Sequence, residues 1–419
     1  MIRNVAAWPR GRRAKWVVLA GWLLITMTLT GPLAGKLAGV QKNDAARWLP
    51  SQAEATQADA LQERFQGTDV TAAVVVYERT TGITPADRAK AAADTRALAG
   101  VNGVTGQVVG PIASPDGQAL QTGVPLEMGP DGWSKVSGRV AAISRIARSG
   151  DAGLVVRIAG PASFAADSAR AFQGIDHTLL FATVAVVVII LLLAYRSPLL
   201  WLLPVMSAGV ALTSAQAVIY LLARSGAVVV NGESAGILTV LVFGVGTDYA
   251  LLLVARYKEE LRKHADRHQA MAVAMRRAGP AIAASAATVA VSLLCLQFAQ
   301  MNSTRGLGPV AAIGVGVALL VMITLLPALL VIFGRWMFWP VKPTFGTAGQ
   351  AGTGLWARVG SGIARRPRLV WAAAALALAA SALGVTQLHA TGLTAENSFT
   401  TKPESVVAQQ VLARHFPAG

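Results

Sequence analysis

Seven apolar runs, each about 20 residues or longer, constrain this chain more than any other feature of its sequence. A hydrocarbon core about 30 Å thick needs about 20 apolar residues in a helix, so each run is long enough to cross a bilayer. Charged residues make up only 14% of the 419 residues, against about 25% in an average soluble domain. The sequence therefore predicts a polytopic α-helical membrane protein. We place the runs at residues 16–40, 177–195, 199–223, 234–255, 280–299, 306–333 and 369–388.

Positive charge is concentrated in the short segments beside these runs. The segment 41–176 holds 13 Lys and Arg against 14 Asp and Glu, so 24 of the 37 basic and 7 of the 21 acidic residues lie elsewhere. If all the runs cross the membrane, the basic N-terminus 1–15, the turn at Arg196, the connector 256–277 and the linker 334–368 share one side. The positive-inside rule makes that side cytoplasmic and places 41–176 on the extracytoplasmic side. A net charge of +16 distributed in this way argues against nucleic-acid binding.

The segment 41–176 has the composition of a folded, water-soluble domain. Strand-like and helix-forming stretches alternate between Gly and Pro turns, which is typical of a small α+β or βαβ-type module. Thr84 is expected to cap a helix. We predict strands at 71–77 and 154–158, helices at 85–99, 134–148 and after Pro161, and turns at 110–130.

An internal repeat relates the two ends of the sequence. Basic residues and a proline precede Trp371 at the last run as they precede Trp16 at the first, and similar residues follow both runs. Both copies begin in the cytoplasm, which is the parallel kind of repeat found in secondary transporters. The repeat predicts that residues 389–419 begin a second extracytoplasmic domain and that about half of the duplicated molecule lies outside this sequence. It also argues that 16–40 stays as a membrane helix, the alternative being a cleaved signal peptide.

One acidic residue, Asp248, lies inside the apolar run 234–255. An ionised Asp near the middle of a membrane helix costs about 2.5–3.5 kcal/mol on insertion scales, so intramembrane acids are functional hypotheses by default. Because loss of water disfavours the charged carboxylate, Asp248 is expected to take up a proton from one side and release it to the other, with the Tyr249 hydroxyl as a donor to the ionised form. Gly244 shares a helix face with Asp248 and Gly246 shares one with Tyr249, so a neighbouring helix can approach both. The alternative is a structural acid at a wet helix end or in an ion pair with Lys or Arg.

A second polar feature lies in the run 280–299, where Ser285, Thr288 and Ser292 share one face. These residues predict either a hydrogen-bonded continuation of a proton path or close helix packing through small side chains. The single cysteine, Cys295, is expected to be a small buried hydrophobic residue.

The basic connector 256–277 is expected to form an interfacial amphipathic helix. His264 and His268 are spaced to share a metal ion, but no third ligand lies nearby, which favours a solvated basic face. The sequence contains no G-x-x-x-x-G-K-[ST] phosphate loop, since the Gly-rich stretch 346–354 lacks the lysine, and no nucleophile elbow or metalloprotease motif. We therefore predict a protein that is not an enzyme, binds no cofactor or metal, and draws its energy from an ion gradient or a partner.

The stretch GVGTDYALLLVARYKEEL, residues 244–261, resembles the fourth-span signature of the MmpL branch of the RND (resistance–nodulation–division) transporter superfamily. The order of elements is similar over essentially the whole chain: one span, a large external domain, five spans, a cytosolic linker and a repeat. The resemblance implies a proton-motive-force-driven exporter of lipids, lipid-linked or other hydrophobic molecules in the cytoplasmic membrane of a bacterium. It also implies a porter-like external domain and a proton relay through Asp248 and Tyr249. An equivalent pair in the tenth span, beyond this sequence, completes the relay in that family.

The partners expected from this resemblance are protons, membrane lipids, a hydrophobic or lipidic substrate and the second half of the transporter. The sequence leaves open the cargo and the formation of a homo-oligomer. Two other classes fit the architecture: an accessory of protein translocation similar to the SecD/SecF proteins, and a non-transporting membrane scaffold or lipid sensor. SecD/SecF proteins typically continue their fourth-span acid as Asp-Ala-Asn, whereas this chain continues Asp248-Tyr249-Ala250, which favours the exporter.

Overall fold

The computed structural model describes residues 13–41, 50, 52–54, 57, 70–127, 132–150, 153–346, 355–387 and 402–416. Outside the described residues lie residues 1–12 of the predicted basic N-terminus, residue 388 of the last predicted run, and residues 389–401 and 417–419 of the predicted second extracytoplasmic domain. Along the chain, an α+β domain is inserted between a first apolar helix and a series of long apolar helices.

The α+β domain is built on one four-stranded antiparallel sheet. The pairing of β1 with β3 runs from Val70↔Glu127 to Glu78↔Ala119, and β4 pairs with the other edge of β1. The spatial order is β2-β3-β1-β4. The strands are β1 (Val70–Glu78), β2 (Val109–Ala113), β3 (Ala119–Glu127) and β4 (Val155–Ala159).

Helices α2 (Pro85–Leu98) and α3 (Gly132–Ala147) cover one face of this sheet. Tyr77 of β1 and Ile143 of α3 are fully buried in the core between the sheet and the helices. Thr84 caps α2 in a capping box, as its sequence predicts. The order β1-α2-β2-β3-α3-β4 makes two split βαβ units within an antiparallel sheet, so the domain combines both predicted alternatives.

The region 110–130 differs from its predicted turns, because strands β2 and β3 occupy most of it. Pro111 fits the sheet because it lies on the edge strand β2, at a register shift in the pairing with β3. In β3, alternate residues such as Leu120 and Val124 are buried, which is the period-two pattern of a strand. The turn prediction was wrong because it weighted Gly and Pro above this alternation.

Helix α4 (Pro161–Tyr195) runs without a break from the domain into the apolar segment Leu179–Tyr195. The predicted domain boundary lies at residue 176, inside this helix. A single glycine such as Gly174 costs a helix about 1 kcal/mol relative to Ala, which is too little to interrupt it. The domain is therefore joined to the following helices by a rigid element of 35 residues rather than by a loop.

Five helical segments in the described part of the chain are long and apolar enough to cross a membrane: Ala14–Val40, Leu202–Arg224, Gly232–Lys263, Arg267–Phe298 and Asn302–Phe338. Two shorter apolar helices, Leu179–Tyr195 and Pro367–Leu383, lie at the other two predicted runs. The seven-span topology itself stays a prediction. The helices outside the domain are α1 (Ala14–Ile25, continued by a π-helical turn at Thr26–Thr30), α5 (Leu202–Arg224), α6 (Gly232–Lys263), α7 (Arg267–Leu294), α8 (Asn302–Phe333), α9 (Leu355–Arg365), α10 (Pro367–Leu383) and α11 (Glu404–His415).

Helix α8 lies at the centre of the apolar bundle. Of its 18 most apolar consecutive residues 61% are buried, against 50% in α5 and α6, 11% in α7 and 6% in α1. Gly314 of α8 lies so close to Leu238 and Val242 of α6 that a Cβ atom there would lie 3.1 Å from Val242 Cγ2. Helices α5, α6 and α8 therefore form the core, and α7 presents most of its surface outwards in this chain.

The connector 256–277 is not a separate amphipathic helix. Helix α6 continues to Lys263 and α7 begins at Arg267, so residues 264–266 alone connect them. Asp266 caps α7 by accepting a hydrogen bond from the His268 N–H at 2.9 Å. The predicted interfacial helix is wrong, because the charged residues extend two apolar helices instead of forming an element of their own.

Helix α11 belongs to the segment that the repeat assigns to a second extracytoplasmic domain, yet it packs on the sheet of the first. Its Ala408 and Val411 form an apolar cluster with Val76 of β1 and Ala159 of β4. Val76 points away from the face that α2 and α3 cover, because side chains alternate along a strand. Helix α11 therefore covers part of the second face of the sheet.

Candidate functional site

Helix α6 carries the predicted site residues along its 32 residues. At its start, the Asn231 side chain accepts a hydrogen bond from the Ser234 N–H at 2.8 Å, and the Ser234 hydroxyl accepts one from the Asn231 N–H at 3.0 Å. This reciprocal cap satisfies amide groups that a helix start leaves unpaired. The apolar residues that follow contain no proline, so the helix passes through Asp248 without a kink-forming residue.

Asp248 and Tyr249 project from different sides of α6. Asp248 is exposed, whereas Tyr249 is only 3% exposed. The two glycines divide in the same way: a Cβ atom at Gly246 would lie 2.9 Å from Met322 Cε of α8, whereas nothing lies within 4 Å of one at Gly244. Gly246 and Tyr249 therefore face the bundle, and Gly244 and Asp248 face out of it.

The Asp248 carboxylate makes no ion pair and no hydrogen bond within the residues that the structure describes. Val240 and Leu252, one turn or two away on the same side of α6, are 43% and 52% exposed. The acid therefore sits on an apolar outward surface without a cation.

The Tyr249 hydroxyl is buried and makes no hydrogen bond of ordinary geometry within the described residues. The Ser285 hydroxyl of α7 and the Asp248 carboxylate both lie close enough to act on the phenol. In this structure the phenol therefore does not donate to Asp248, although it is near it. A buried hydroxyl without a partner costs about 1–3 kcal/mol, so a small movement that gives it an acceptor is favourable.

The predicted polar stripe of α7 lies on the outer surface of the bundle, where Ser285, Thr288 and Ser292 are all exposed. Thr288 donates its hydroxyl to the carbonyl four residues earlier in its own helix at 2.9 Å. Cys295 continues this surface and is exposed, so the expectation of a buried cysteine is wrong; few neighbours in this chain cover that side of α7. The structure brings Ser285 to Tyr249 and leaves the other two hydroxyls along an open face.

A buried acid at the far end of α6 has no counterpart in the sequence predictions. Glu260 is 1% exposed, and Arg277 Nη1 of α7 donates to its Oε1 at 3.0 Å. His264 Nδ1 and Lys263 Nζ lie 3.5 and 4.0 Å from its carboxylate oxygens. The signal that could have found it is helical spacing: Glu260 follows Tyr249 by about three turns and so shares its buried face.

Two arginines complete the helix ends beside this acid. Arg335 Nη2 donates to the carbonyls of Leu261 and His264 at 2.9 and 2.7 Å, and Arg267 Nη1 donates to the carbonyl of Ile332 at 3.1 Å. Cations at helix C-termini complement the helix dipole and pair the last carbonyls. The ends of α6 and α8 are therefore held by fixed charges, unlike the middle of α6.

The predicted histidine pair does not act as one unit. His264 Nδ1 faces Glu260, whereas His268 Nδ1 lies 3.0 Å from Asp266 Oδ1. No group of three or more His, Cys, Asp or Glu side chains that could hold a metal ion occurs among the described residues.

Together these features define a class of protein: a multi-pass helical membrane protein with an α+β domain and, on an apolar helix, an acid that has no ion-pair partner among the described residues. The sequence model of the MMPL family matches residues 47–370, and the chain therefore belongs to the MMPL family. The resemblance to the MmpL branch is thereby confirmed.

Several relatives are known by name. The chain is 54% identical over 420 residues to the putative membrane protein ActII-3 of Streptomyces coelicolor, covering 100% of this chain and 59% of that protein. It is 31% identical to the apo-petrobactin exporter of Bacillus anthracis, over 80% of this chain and 48% of that protein. It is 30% identical to the sulfolipid-1 exporter MmpL8 of Mycobacterium tuberculosis, over 97% of this chain and 38% of that protein. The chain thus spans about half the length of these relatives, and the matches support a transporter of the MMPL kind.

Proposed function

We propose that this chain contributes one of two repeats to a proton-motive-force-driven exporter of lipids or other hydrophobic molecules across the cytoplasmic membrane of a bacterium. The observation that carries the proposal is Asp248, an acid on an apolar helix without an ion-pair partner among the described residues. Two relatives are exporters by name, one of a sulfolipid and one of apo-petrobactin. In this proposal the N-terminus is cytoplasmic and the α+β domain is an extracytoplasmic porter-like domain.

The proposed cycle changes the charge of the outward surface of α6. With a proton bound, Asp248 is neutral on a largely apolar surface; without it, the carboxylate requires water or a donor, for which the nearby Tyr249 hydroxyl is available. A group that changes charge shifts the balance between two helix arrangements by its different interaction energy in each. Moving one charge through a potential of 100 mV supplies about 2.3 kcal/mol.

In the proposed cycle, the rearrangement of the membrane helices is transmitted to the α+β domain through α4. This helix is continuous from Pro161 to Tyr195, so a displacement at its apolar end moves the domain without an intervening loop. Hinge-like loops would absorb such a displacement, whereas a rigid helix transmits it. We propose α4 as the mechanical link between proton binding and cargo movement.

The second repeat is proposed to cover the open surface beside Asp248. Nothing lies within 4 Å of a Cβ atom at Gly244, and only 11% of the most apolar stretch of α7 is buried. An apolar face with a small residue and an exposed acid is suited to close approach by another helix. We propose that this helix carries the equivalent Asp-Tyr pair of the second repeat.

The proposal can be tested with the full-length gene product in proteoliposomes. We expect an imposed pH gradient to drive both proton movement, followed with a trapped pH dye, and translocation of a fluorescent short-chain lipid. Asp248→Asn should abolish both responses to the gradient. The matched control is Glu233→Gln, the same change at an exposed acid in the first turn of α6. Gradient-driven translocation that survives in Asp248→Asn would refute the relay. A lack of gradient dependence in the wild type would favour the scaffold or lipid-sensor alternative.

A further inference from the structure

Three arginine side chains converge on one cleft of the α+β domain, where α3, α4 and α11 meet. The cleft has a volume of about 500 Å³, and its lining includes Arg145 and Arg148 at the end of α3, Arg170 of α4 and Glu404 of α11. Three guanidinium groups thus share a cleft with a single lining carboxylate. The cleft lies in a different part of the molecule from Asp248 and serves no step of the proposed proton cycle.

The fold assembles this cleft from distant parts of the chain. Arg145 and Arg148 share a helix face because they are three residues apart. Arg170 arrives with the next helix and Glu404 with the segment assigned to the second repeat. No short motif links these positions, so local sequence patterns do not predict the cleft. Two hydroxyl groups, from Ser144 and Ser149, complete the polar lining.

The three guanidinium groups are only partly engaged by the protein. Arg170 Nη1 lies 3.0 Å from Asp167 Oδ1, and the Arg170 side chain is 51% exposed. Arg148 pairs with Glu404, and both side chains are more than 40% exposed at 46% and 42%. Arg145 is exposed and has no ionic or hydrogen-bonding partner among the described residues. The cleft therefore retains N–H donors and a positive charge that the chain itself does not use.

We propose that this cleft binds a tetrahedral oxyanion: the phosphate or sulfate ester of a polar headgroup. The planar, always charged guanidinium group matches phosphate and related oxyanions in geometry, and clusters of arginine are a recurrent means of recognising them. A volume of about 500 Å³ lies within the range of about 300–1,000 Å³ for small-molecule pockets, so there is room for more than a bare ion. The Ser144 hydroxyl adds a neutral donor.

The position of the cleft fits a headgroup that has left the bilayer. Arg170 precedes the apolar segment that begins at Leu179 by nine residues of continuous helix, a rise of about 13 Å. The polar layer on each side of a bilayer is about 5–8 Å thick, so a resting lipid does not reach this height. As cargo chemistry this step rests on the proposed function: the exported amphiphile would carry an anionic headgroup. The binding itself does not depend on proton coupling.

Glu404 competes with the ligand in this arrangement. It occupies Arg148, so an incoming anion and the Glu404 carboxylate exclude each other from the same guanidinium group. Binding at the cleft is thereby coupled to the docking of α11 by a reciprocal free energy. Removal of the Glu404 charge should consequently strengthen anion binding, an effect that a purely structural ion pair does not produce.

The experiment is an equilibrium titration of the purified full-length protein in a nonionic detergent, without a pH gradient. The probes are inorganic phosphate, inorganic sulfate and dihexanoyl phosphatidic acid, with dihexanoyl phosphatidylcholine as the zwitterionic comparison. Arg145→Gln is expected to weaken binding by about tenfold or more, the effect of one charge-assisted hydrogen bond. Glu404→Gln is expected to tighten it about two- to fivefold, as expected for an exposed charge pair. The matched control is Arg139→Gln, which removes an arginine from α3 outside the cleft.

The outcomes separate the site, its ligand and the proposed function. Equal affinity of the wild type and Arg145→Gln for every anionic probe, or no binding at all, overturns the site. Tighter binding of phosphatidic acid than of phosphate assigns the anion to a lipid headgroup, and the reverse assigns it to a free ion; either supports an oxyanion cleft if the Arg145 effect is present. Anion binding that persists in an Asp248→Asn protein without transport shows that a failed proton relay leaves this inference standing.

Discussion

Two of the four acids of helix α6 lie in opposite surroundings, Asp248 in its apolar middle and Glu260 near its end. Asp248 is exposed in this chain and has no ion-pair partner among the described residues. Glu260 is 1% exposed and lies against Arg277, His264 and Lys263. The distance between the two positions is about 18 Å along the helix. One helix thus holds one carboxylate by cations and leaves the other without any.

This difference separates two uses of a buried or intramembrane charge. Glu260 accepts a hydrogen bond from Arg277 of the next helix, so its carboxylate joins α6 to α7. Asp248 has no such contact among the described residues, and in the proposed function its carboxylate is the one that binds a proton. We therefore propose that Glu260 stabilises the bundle and that Asp248 serves the proposed proton coupling.

We expect the greatest loss of function from substitution of Asp248. Asp248→Asn should lower proton-coupled transport by at least about 100-fold, the usual contribution of a positioned proton-transfer group. Its thermal unfolding temperature in detergent should stay close to that of the wild type, because the carboxylate has no described contact to lose. Asp248→Glu is the matched control, since it keeps the acid and should keep measurable coupling. A large loss of stability in Asp248→Asn would show that the acid is structural.

The second prediction concerns the contribution of Glu260 to the stability of the protein. Glu260→Gln should destabilise the protein by about 1–3 kcal/mol, because the buried Glu260 carboxylate loses its charge-assisted hydrogen bond from Arg277, whose side chain is 51% exposed. Arg277→Met should cost less than Glu260→Gln if water reaches the place of the half-exposed guanidinium group beside Glu260. Chemical unfolding in detergent measures both effects.

The neighbouring acid provides the control for that prediction. Glu259 pairs with Arg256 and Lys263 on the surface, and its side chain is 42% exposed. Glu259→Gln should change stability by no more than about 0.5 kcal/mol. Equal effects of Glu259→Gln and Glu260→Gln would contradict the assignment of Glu260 to the bundle core.

The third prediction concerns the Tyr249 hydroxyl, which lies near Asp248. Tyr249→Phe removes a buried hydroxyl that has no hydrogen-bond partner in the described structure, so stability should be unchanged or rise by about 1 kcal/mol. Transport should fall nonetheless, because in the proposed cycle the nearby Tyr249 hydroxyl becomes the donor to the ionised Asp248. Ser285→Ala tests the same hydroxyl from the side of α7. A Tyr249→Phe protein that loses stability and transport in proportion would indicate a packing role for the phenol.

Features set by local sequence were predictable. Hydropathy alone gives the apolar runs, and the Thr84 cap follows from a side chain that pairs with its own helix start. The position of Asp248 within an apolar helix also follows from its neighbours in sequence. The separation of Gly244 from Gly246 onto two faces was implicit in helical periodicity, although which face meets α8 depends on packing.

Features that depend on distant contacts were not predictable. Glu260 lies in a charge-rich stretch that looks solvated until α6 and α7 are known to continue through it and bring Arg277 beside it. The arginine cleft needs side chains from three helices, and the docking of α11 joins residues more than 300 positions apart in sequence, as in the contact of His415 with Glu78. Local sequence patterns do not predict such pairings, because they form only in the complete fold.

The last prediction concerns His415, a cation that can lose its charge, and its expected effect on stability is small. His415 of α11 lies 2.6 Å from Asp116 Oδ2 through Nδ1 and 3.4 Å from Glu78 Oε1 through Nε2. The Asp116 hydrogen bond raises the pKa of His415 above its ordinary 6.5, against the opposing effect of burial. Arg157 of β4, 2.9 Å from Glu78, is the other charge facing this group. The pKa of Asp116 is lowered to about 2, chiefly by the Ser114 hydroxyl, so Asp116 stays ionised near neutral pH.

The sign of the pH effect follows from the raised pKa of His415. Its contribution to the docking of α11 is fully present below pH 6.5 and is lost as pH rises through the raised value. Thermal unfolding in detergent should therefore show wild type more stable than His415→Gln at about pH 5.5, with the difference shrinking by about pH 8.5. The change should be small, within the range of about 0–1 kcal/mol of a surface charge pair. Asp116→Asn should abolish most of the pH dependence, because it removes the main cause of the shift. If the stability difference between wild type and His415→Gln is equal at both pH values, the His415 charge does not contribute to it. The imidazole is then held by packing as a neutral ring.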